Sequence, residues 1–235
     1  MDKKKFPYLG YQESIGFSSR KTMLMQKVDE LEKRIAALET KELVNKIESM
    51  EKGEELTTEL PSDVIFDKKA FTIKAETIVN LNLNDKNIVA TTPKIDAIII
   101  ESGATLTIDG DGLVETADGG DGYPLIADGN VVINSGHFKS NLDENGLANA
   151  CIYVRGNGSV KVHGGRFETA DGSFVLNKKD ADRATCSILV MGGEFVEFDP
   201  SNNASEGPNT NFVAEGYAVE SFVEGGKTIY RVVKA

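Results

Sequence analysis

The residues best suited to chemistry lie between Ile108 and Gly122, where Asp109, Asp111, Asp118 and Asp121 stand among five glycines. Carboxylates on a turn-rich loop can gather Ca²⁺. The spacing matches no complete calcium-loop signature, and Asp-Gly is ordinary turn chemistry. Loop 109–121 therefore reads first as turns, with Ca²⁺ binding as the alternative. The only two histidines, His137 and His163, fall at different offsets from the neighbouring glycines and do not form a ligand pair. Cys151 and Cys186 also sit at different offsets and are expected as free, semi-buried thiols. No Ser-His-Asp order, phosphate loop or zinc pattern is present, and no two carboxylates are marked as a glycosidase pair. No catalytic, cofactor-binding or metal-binding residue is assigned, and no enzyme is expected.

The elements that hold these residues repeat. Val131-x-Ile133-x-x-Gly136-x-Phe138 returns as Val160-x-Val162-x-x-Gly165-x-Phe167 and as Ile188-x-Val190-x-x-Gly193-x-Phe195. Weaker units begin at Leu106 (Leu106-x-Ile108) and Leu81 (Leu81-x-Leu83), so that units start 25 to 29 residues apart. Alternation at period 2 sends Val160 and Val162 to one face and Lys161 and His163 to the other. Glycine then permits a sharp corner or a close approach of the neighbouring coil, and the Phe points inward on the next face. A second strand precedes the motif in several units (Phe71 and Ile73, Ile98 and Ile100, Ile152 and Val154). Three short faces per unit, at a period in the twenties, predict a solenoid of stacked β-coils, a short right-handed parallel β-helix. A β-sandwich of hairpins is the competing arrangement.

Upstream the pattern changes. Residues from about 21 to 52 lack Pro and Gly, and Leu24, Val28, Leu31, Ile35 and Leu38 follow the 4-3-4-3 spacing of a coiled-coil seam. With Val28 and Ile35 at position a, the flanking g and e positions hold Lys27 with Glu32 and Arg34 with Glu39, opposite charges across a parallel homo-oligomer. The phase breaks after Leu38 and resumes, shifted, at Leu43, Ile47 and Met50. β-branched residues at a and Leu at d favour a dimer by peptide rules, while a following β domain can impose a trimer. Residues 1–20 carry Phe6, Tyr8, Tyr11 and Phe17 between Pro and Gly and read as an extended peptide that orders on a partner. The expected layout is an N-terminal anchoring peptide (1–20), a coiled-coil helix (21–52), a joint (53–63), the β-helix (64–198), and a C-terminal loop with capping strands (199–235). In the last part, strands around Gly225-Gly226 are expected to close the open coil end.

A net charge of −11 argues against broad contact with nucleic acid. The lack of Trp and the low aromatic share argue against a sugar-stacking enzyme cleft. No run of about 18 apolar residues suggests a membrane span, and no apolar secretory segment follows the basic start, so the chain is expected to be made in the cytoplasm.

The wording of the C-terminal part, Gly192-Gly193-x-Phe195, Asp199-Pro200, Ala214-Glu215-Gly216-Tyr217 and Tyr230-x-Val232, resembles the unit that ends right-handed β-helix stalks of bacterial surface proteins and phage fibres. Peptide, coiled coil and small β domain together are similar to bacteriophage head or tail fibres, including those of crAss-like phages. The resemblance implies a virion protein, a homotrimer or homodimer anchored to a capsid or other virion protein through Phe6, Tyr8, Tyr11 and Phe17, whose β domain faces a host-surface glycan. A β-helical polysaccharide lyase or depolymerase and a bacterial surface adhesin are the alternatives.

Overall fold

The repeat folds as its alternation requires. Leu106 and Ile108, Val131 and Ile133, Val160 and Val162, and Ile188 and Val190 all turn inward and are at most 8% exposed. The computed structural model describes residues 10–142, 145–146, 149–170, 174–203, 206–207 and 209–235, with side chains from residue 21 onward. Helix α1 (Gly10–Ser49) is followed by β1 (Glu55–Glu59), β2 (Val64–Phe66) and β3 (Phe71–Ile73), which form the first turn of a solenoid. The second turn is β4 (Ile78–Asn82), β5 (Ile88–Ala90) and β6 (Ile98–Ile100), and the third β7 (Thr105–Asp109), β8 (Leu113–Glu115) and β9 (Leu125–Ala127). The fourth is β10 (Asn130–Ile133), β11 (His137–Ser140) and β12 (Ile152–Val154). The fifth is β13 (Ser159–Val162), β14 (Arg166–Thr169) and β15 (Leu176–Lys178). Strands β16 (Ser187–Val190) and β17 (Glu194–Val196) begin a sixth turn, and β18 (Tyr217–Glu224) and β19 (Lys227–Lys234) end the chain.

Each turn contributes one strand to each of three parallel faces. The first face runs β1-β4-β7-β10-β13-β16 and the third β3-β6-β9-β12-β15. The second runs β2-β5-β8-β11-β14-β17 and continues antiparallel through β19 to β18. The chain is therefore a mainly β protein built on a parallel β-solenoid of about five turns. Phe138, Phe167 and Phe195 pair in register on the second face, with ring centroids 5.2 and 5.0 Å apart and all three fully buried. Such stacking adds about 0.5–1.5 kcal/mol per pair to the burial itself.

The corner glycines have both reasons that the motif suggested. Gly193 sits at φ +99°, where a side chain is strained. A Cβ at Gly192 would lie 2.0 Å from the carbonyl oxygen of His163 in the turn below. In the earlier, weaker unit the corner is made by Asn84 (φ +53°) and Asp85 (φ +57°), residue types that tolerate this region.

Three boundaries differ from the expectation. Leu81 pairs with Ile108 rather than with Leu106, so the second unit starts at Val79, whose partner is Leu106. The run Val79, Leu81, Leu83 offers two equally apolar frames, and the ladder selects the earlier one. The segment 53–63, expected as a joint, contains β1, which pairs with β4 and forms part of the first turn. Residues 10–20, expected in an extended peptide, are the first turns of α1. Gly10 and Gly16 each weaken a helix by about 1 kcal/mol relative to Ala but do not forbid one.

Both ends of the solenoid are covered. At the start, Ile47 of α1 and Met50 just after it join the core, with Leu43 and Val44 packed against it. At the far end, Val213 bridges to Val190 on the free edge of the first face. The β18–β19 hairpin covers the second face, turning at Gly225 and Gly226, both with positive φ. On the third face the carboxylate of Glu206, from the polar loop, accepts the backbone N–H of Lys178 on the edge strand β15.

Candidate functional site

Helix α1 has a buried face against the solenoid and a second apolar face that is exposed, a pattern that marks interaction surfaces. Leu24, Val28, Leu31, Ile35 and Leu38 are between 50 and 64% exposed, and Met23 and Met25 beside them are 57 and 59% exposed. The residues that pack on the solenoid are Thr40, Leu43, Val44, Ile47 and, just past the helix end, Met50. At about 100° per residue the two apolar faces point roughly 135° apart. The phase break after Leu38 is thus the switch from one face to the other.

The docked end is fixed by polar contacts as well. Thr40 Oγ1 accepts the backbone N–H of Ser62 at 3.0 Å and lies 2.8 Å from its hydroxyl. Lys69 Nζ donates to Glu48 Oε2, whose side chain is largely buried. Residues 36–50 therefore fix the direction of α1 relative to the first turn, and the stretch 24–38 carries its apolar seam into solvent. The seam's flanking charges Lys27, Glu32, Arg34 and Glu39 are all exposed, and none makes an ion pair with a described residue. Such a surface has the composition to pair with a copy of itself.

Of the remaining candidates, Asp111, His137 and His163 line one open cavity of about 750 Å³, together with Arg166, Glu194 and Arg231. Phe6 and Tyr8 lie outside the described residues, and Tyr11 and Phe17 fall in the opening turns of α1. Asp109 accepts the side-chain amide of Asn134 at 2.9 Å, and the carbonyl of Asp111 accepts the N–H of Asp85. Among the described residues no three His, Cys, Asp or Glu side chains come together as a metal set would require. His137 Nε2 lies 3.2 Å from Glu168 Oε1 on the second face, while His163 belongs to the corner that precedes Gly164. Burial pushes the His137 pKa below its ordinary 6.5, against the opposing pull of Glu168.

Cys151 and Cys186 are free and buried. The Cys151 thiol donates to the Glu168 carbonyl at 2.8 Å, and burial pushes its pKa far up, so it is an inert packing group. No helix among the described residues is long and apolar enough to cross a membrane.

Sequence reasoning singled out the apolar stripe that the structure leaves exposed, but not what lies beside it on the solenoid. Leu43, Ile47 and Met50 were legible only as a shifted resumption of the heptad pattern; that they dock on the solenoid was not, and the neighbouring Ser62 lies in a stretch with no periodicity. Comparison of the chain with protein-family models, with curated proteins and with solved structures gave no match, so the likeness to phage fibres rests on the motifs quoted above.

Proposed function

We propose that this chain is a structural virion protein, a homo-oligomeric phage head or tail fibre that acts by adhesion rather than by turnover. In this reading α1 forms a parallel coiled coil through Leu24, Val28, Leu31, Ile35 and Leu38. The assembly is a trimer, with a dimer as the alternative. Residues 1–20, with Phe6, Tyr8, Tyr11 and Phe17, grip a capsid or other virion protein. The solenoid winds right-handed, as parallel crossover connections do, and faces the host surface.

The observation that carries the reading is the exposed seam. It is a heptad stripe with its own complementary charges, on a helix whose other face is already used. In a parallel pair Lys27 meets Glu32 and Arg34 meets Glu39 of the neighbour, whereas an antiparallel pair would bring like charges together. A 40-residue helix spans about 60 Å, enough to hold the β domain away from its anchor. Several copies on one particle would give avidity from individually weak contacts.

Sedimentation of the full chain tests this. A trimer or dimer that falls to monomer with Leu24→Glu/Leu31→Glu is expected. A wild-type monomer at tens of micromolar, well above roughly micromolar affinities of weak specific assemblies, would overturn it.

A further inference from the structure

The three outer surfaces of the solenoid differ in chemistry. The second face carries ion pairs, Glu115 with Lys139 at 2.5 Å, Arg166 with Glu194 at 3.2 Å and Arg231 with Glu194 at 2.6 Å. The first face shows Thr107, Val132 and Lys161 in register. The third face instead aligns Ile99, Ile126 and Tyr153, with Asn177 above them on β15. Ile126 lies on the outside by alternation yet is only 4% exposed, with Tyr153 beside it in the next turn. Tyr123 stacks on Tyr153 with centroids 4.7 Å apart and planes 15° from parallel. Phe174, just before β15, is 37% exposed and sits at φ +49°. A bulky side chain held in that backbone region is a known mark of functional sites.

These rings border an open cavity of about 560 Å³, also lined by Asn177, Arg183 and Glu206. Several of its neutral hydrogen-bonding groups are unspent. Among the described residues the Tyr123 and Tyr153 hydroxyls and the Asn177 amide have no side-chain partner. Glu206 is 3% exposed, and its Oε1 likewise has no hydrogen-bond partner. A buried acceptor left in that state favours any ligand that brings a donor. Most of the charges, by contrast, are already paired, Lys179 with Asp182 at 3.6 Å and Arg183 with Asp180 and Glu206. Arg183 donates to the Glu206 carbonyl at 2.6 Å and lies 2.9 Å from Asp180 Oδ1, and Lys178 Nζ donates to the Arg183 carbonyl.

Stacked aromatic faces beside free hydroxyl and amide groups, with most of the ionic groups paired among themselves, suit a neutral sugar ring. The ring offers an apolar C–H face to the aromatics and hydroxyls to the polar rim. We propose that this cavity binds a neutral pyranose of a surface glycan. Its C–H face would lie on Tyr153 and Phe174, and its hydroxyls would meet the tyrosine hydroxyls, Asn177 and Glu206 Oε1. The proposal names the ligand class for the adhesion reading above and rests on that reading for its biological role.

The test uses the full chain with glucose, galactose, mannose, N-acetylglucosamine and glucuronate, each followed by saturation-transfer and titration NMR. At least one neutral sugar is expected to bind with a dissociation constant of roughly millimolar, a weak single contact suited to avidity. Phe174→Ala and Asn177→Ala are each expected to weaken it about tenfold or more, the loss of one stacking or hydrogen-bonding contact. Tyr153→Phe, which keeps the ring and removes the hydroxyl, serves if Tyr153→Ala fails to fold, and a severalfold loss is expected. Val223→Ala, on the distant hairpin, should change nothing.

Binding of glucuronate alone, binding of no neutral sugar, or binding that survives Phe174→Ala and Asn177→Ala would overturn the proposal. The Leu24→Glu/Leu31→Glu variant separates the two ideas. If the oligomer is real, it keeps monosaccharide binding and loses avidity for the matching polysaccharide. If the wild type is already monomeric but binds the sugar, the fibre reading fails and the site stands.

Discussion

Leu31→Ala tests the division of α1 into a docked and a free face. Leu31 is 53% exposed in the single chain. Fully burying a leucine side chain is worth about 1.5–3 kcal/mol, so covering the remaining half contributes about 1 kcal/mol per chain. In a trimer three copies change together, giving a loss of about 3 kcal/mol and roughly a hundredfold rise in the trimer dissociation constant. The solenoid itself should hardly notice, because a surface change away from packed groups shifts stability by about 0.5 kcal/mol or less. Ile47→Ala is the reciprocal case. Ile47 is 1% exposed in the core beneath the first turn, and removing its methyls should cost the fold about 2–5 kcal/mol. The assay is sedimentation velocity over a concentration series for association, with urea unfolding followed by circular dichroism for the fold. If Leu31→Ala left association unchanged while lowering the urea midpoint as much as Ile47→Ala, the two-face reasoning would be wrong.

Other outcomes follow from particular contacts. Phe167→Ala removes the middle ring of the column and should destabilise by about 3–5 kcal/mol from the cavity, with a further loss from two stacked neighbours, read in the urea midpoint. Gly192→Ala must displace a backbone carbonyl, whereas Gly119→Ala meets nothing within 4 Å and suffers only its φ of +79°. The first should therefore be severe and the second cost about 1–2 kcal/mol. Because the folded His137 binds its proton less tightly than the unfolded chain does, stability should fall as pH drops through 6.5, and His137→Gln should flatten that dependence in thermal melts. A deletion of residues 1–38 should leave a folded monomer. A deletion of residues 1–52 would also strip Ile47 and Met50 from the core, and so should melt at a distinctly lower temperature.

Much of the fold was legible because its inward columns are written in the repeat. Val131, Val160 and Ile188 pair as their shared motif implies. The first strand was hidden because β1, Glu-Leu-Thr-Thr-Glu, carries a single large apolar residue. The apolar stripe from Leu24 to Leu38 was legible from its spacing, but that the same helix turns another face onto the solenoid needed the structure. The aromatic cavity was illegible for a different reason. Tyr123 meets Tyr153, which lies within β12, only because the segment just before β9 places its ring beside the next turn. Glu206 lies in a loop without any period, and a low overall aromatic content gave no hint that three rings would gather on one face.

The stacking direction of the turns has a mechanical consequence. Backbone hydrogen bonds between turns run along the solenoid axis, while α1 leaves from the first turn and Tyr153 sits on the fourth. A pull between them loads every intervening boundary in series, and each boundary divides it among three ladders. If one boundary yields, the chain it frees is a turn of 25 to 29 residues, about 90 Å of slack at full extension. The covalent chain would still join the two halves. The domain would then behave as a tether that lengthens under a sudden load before its distal grip is lost.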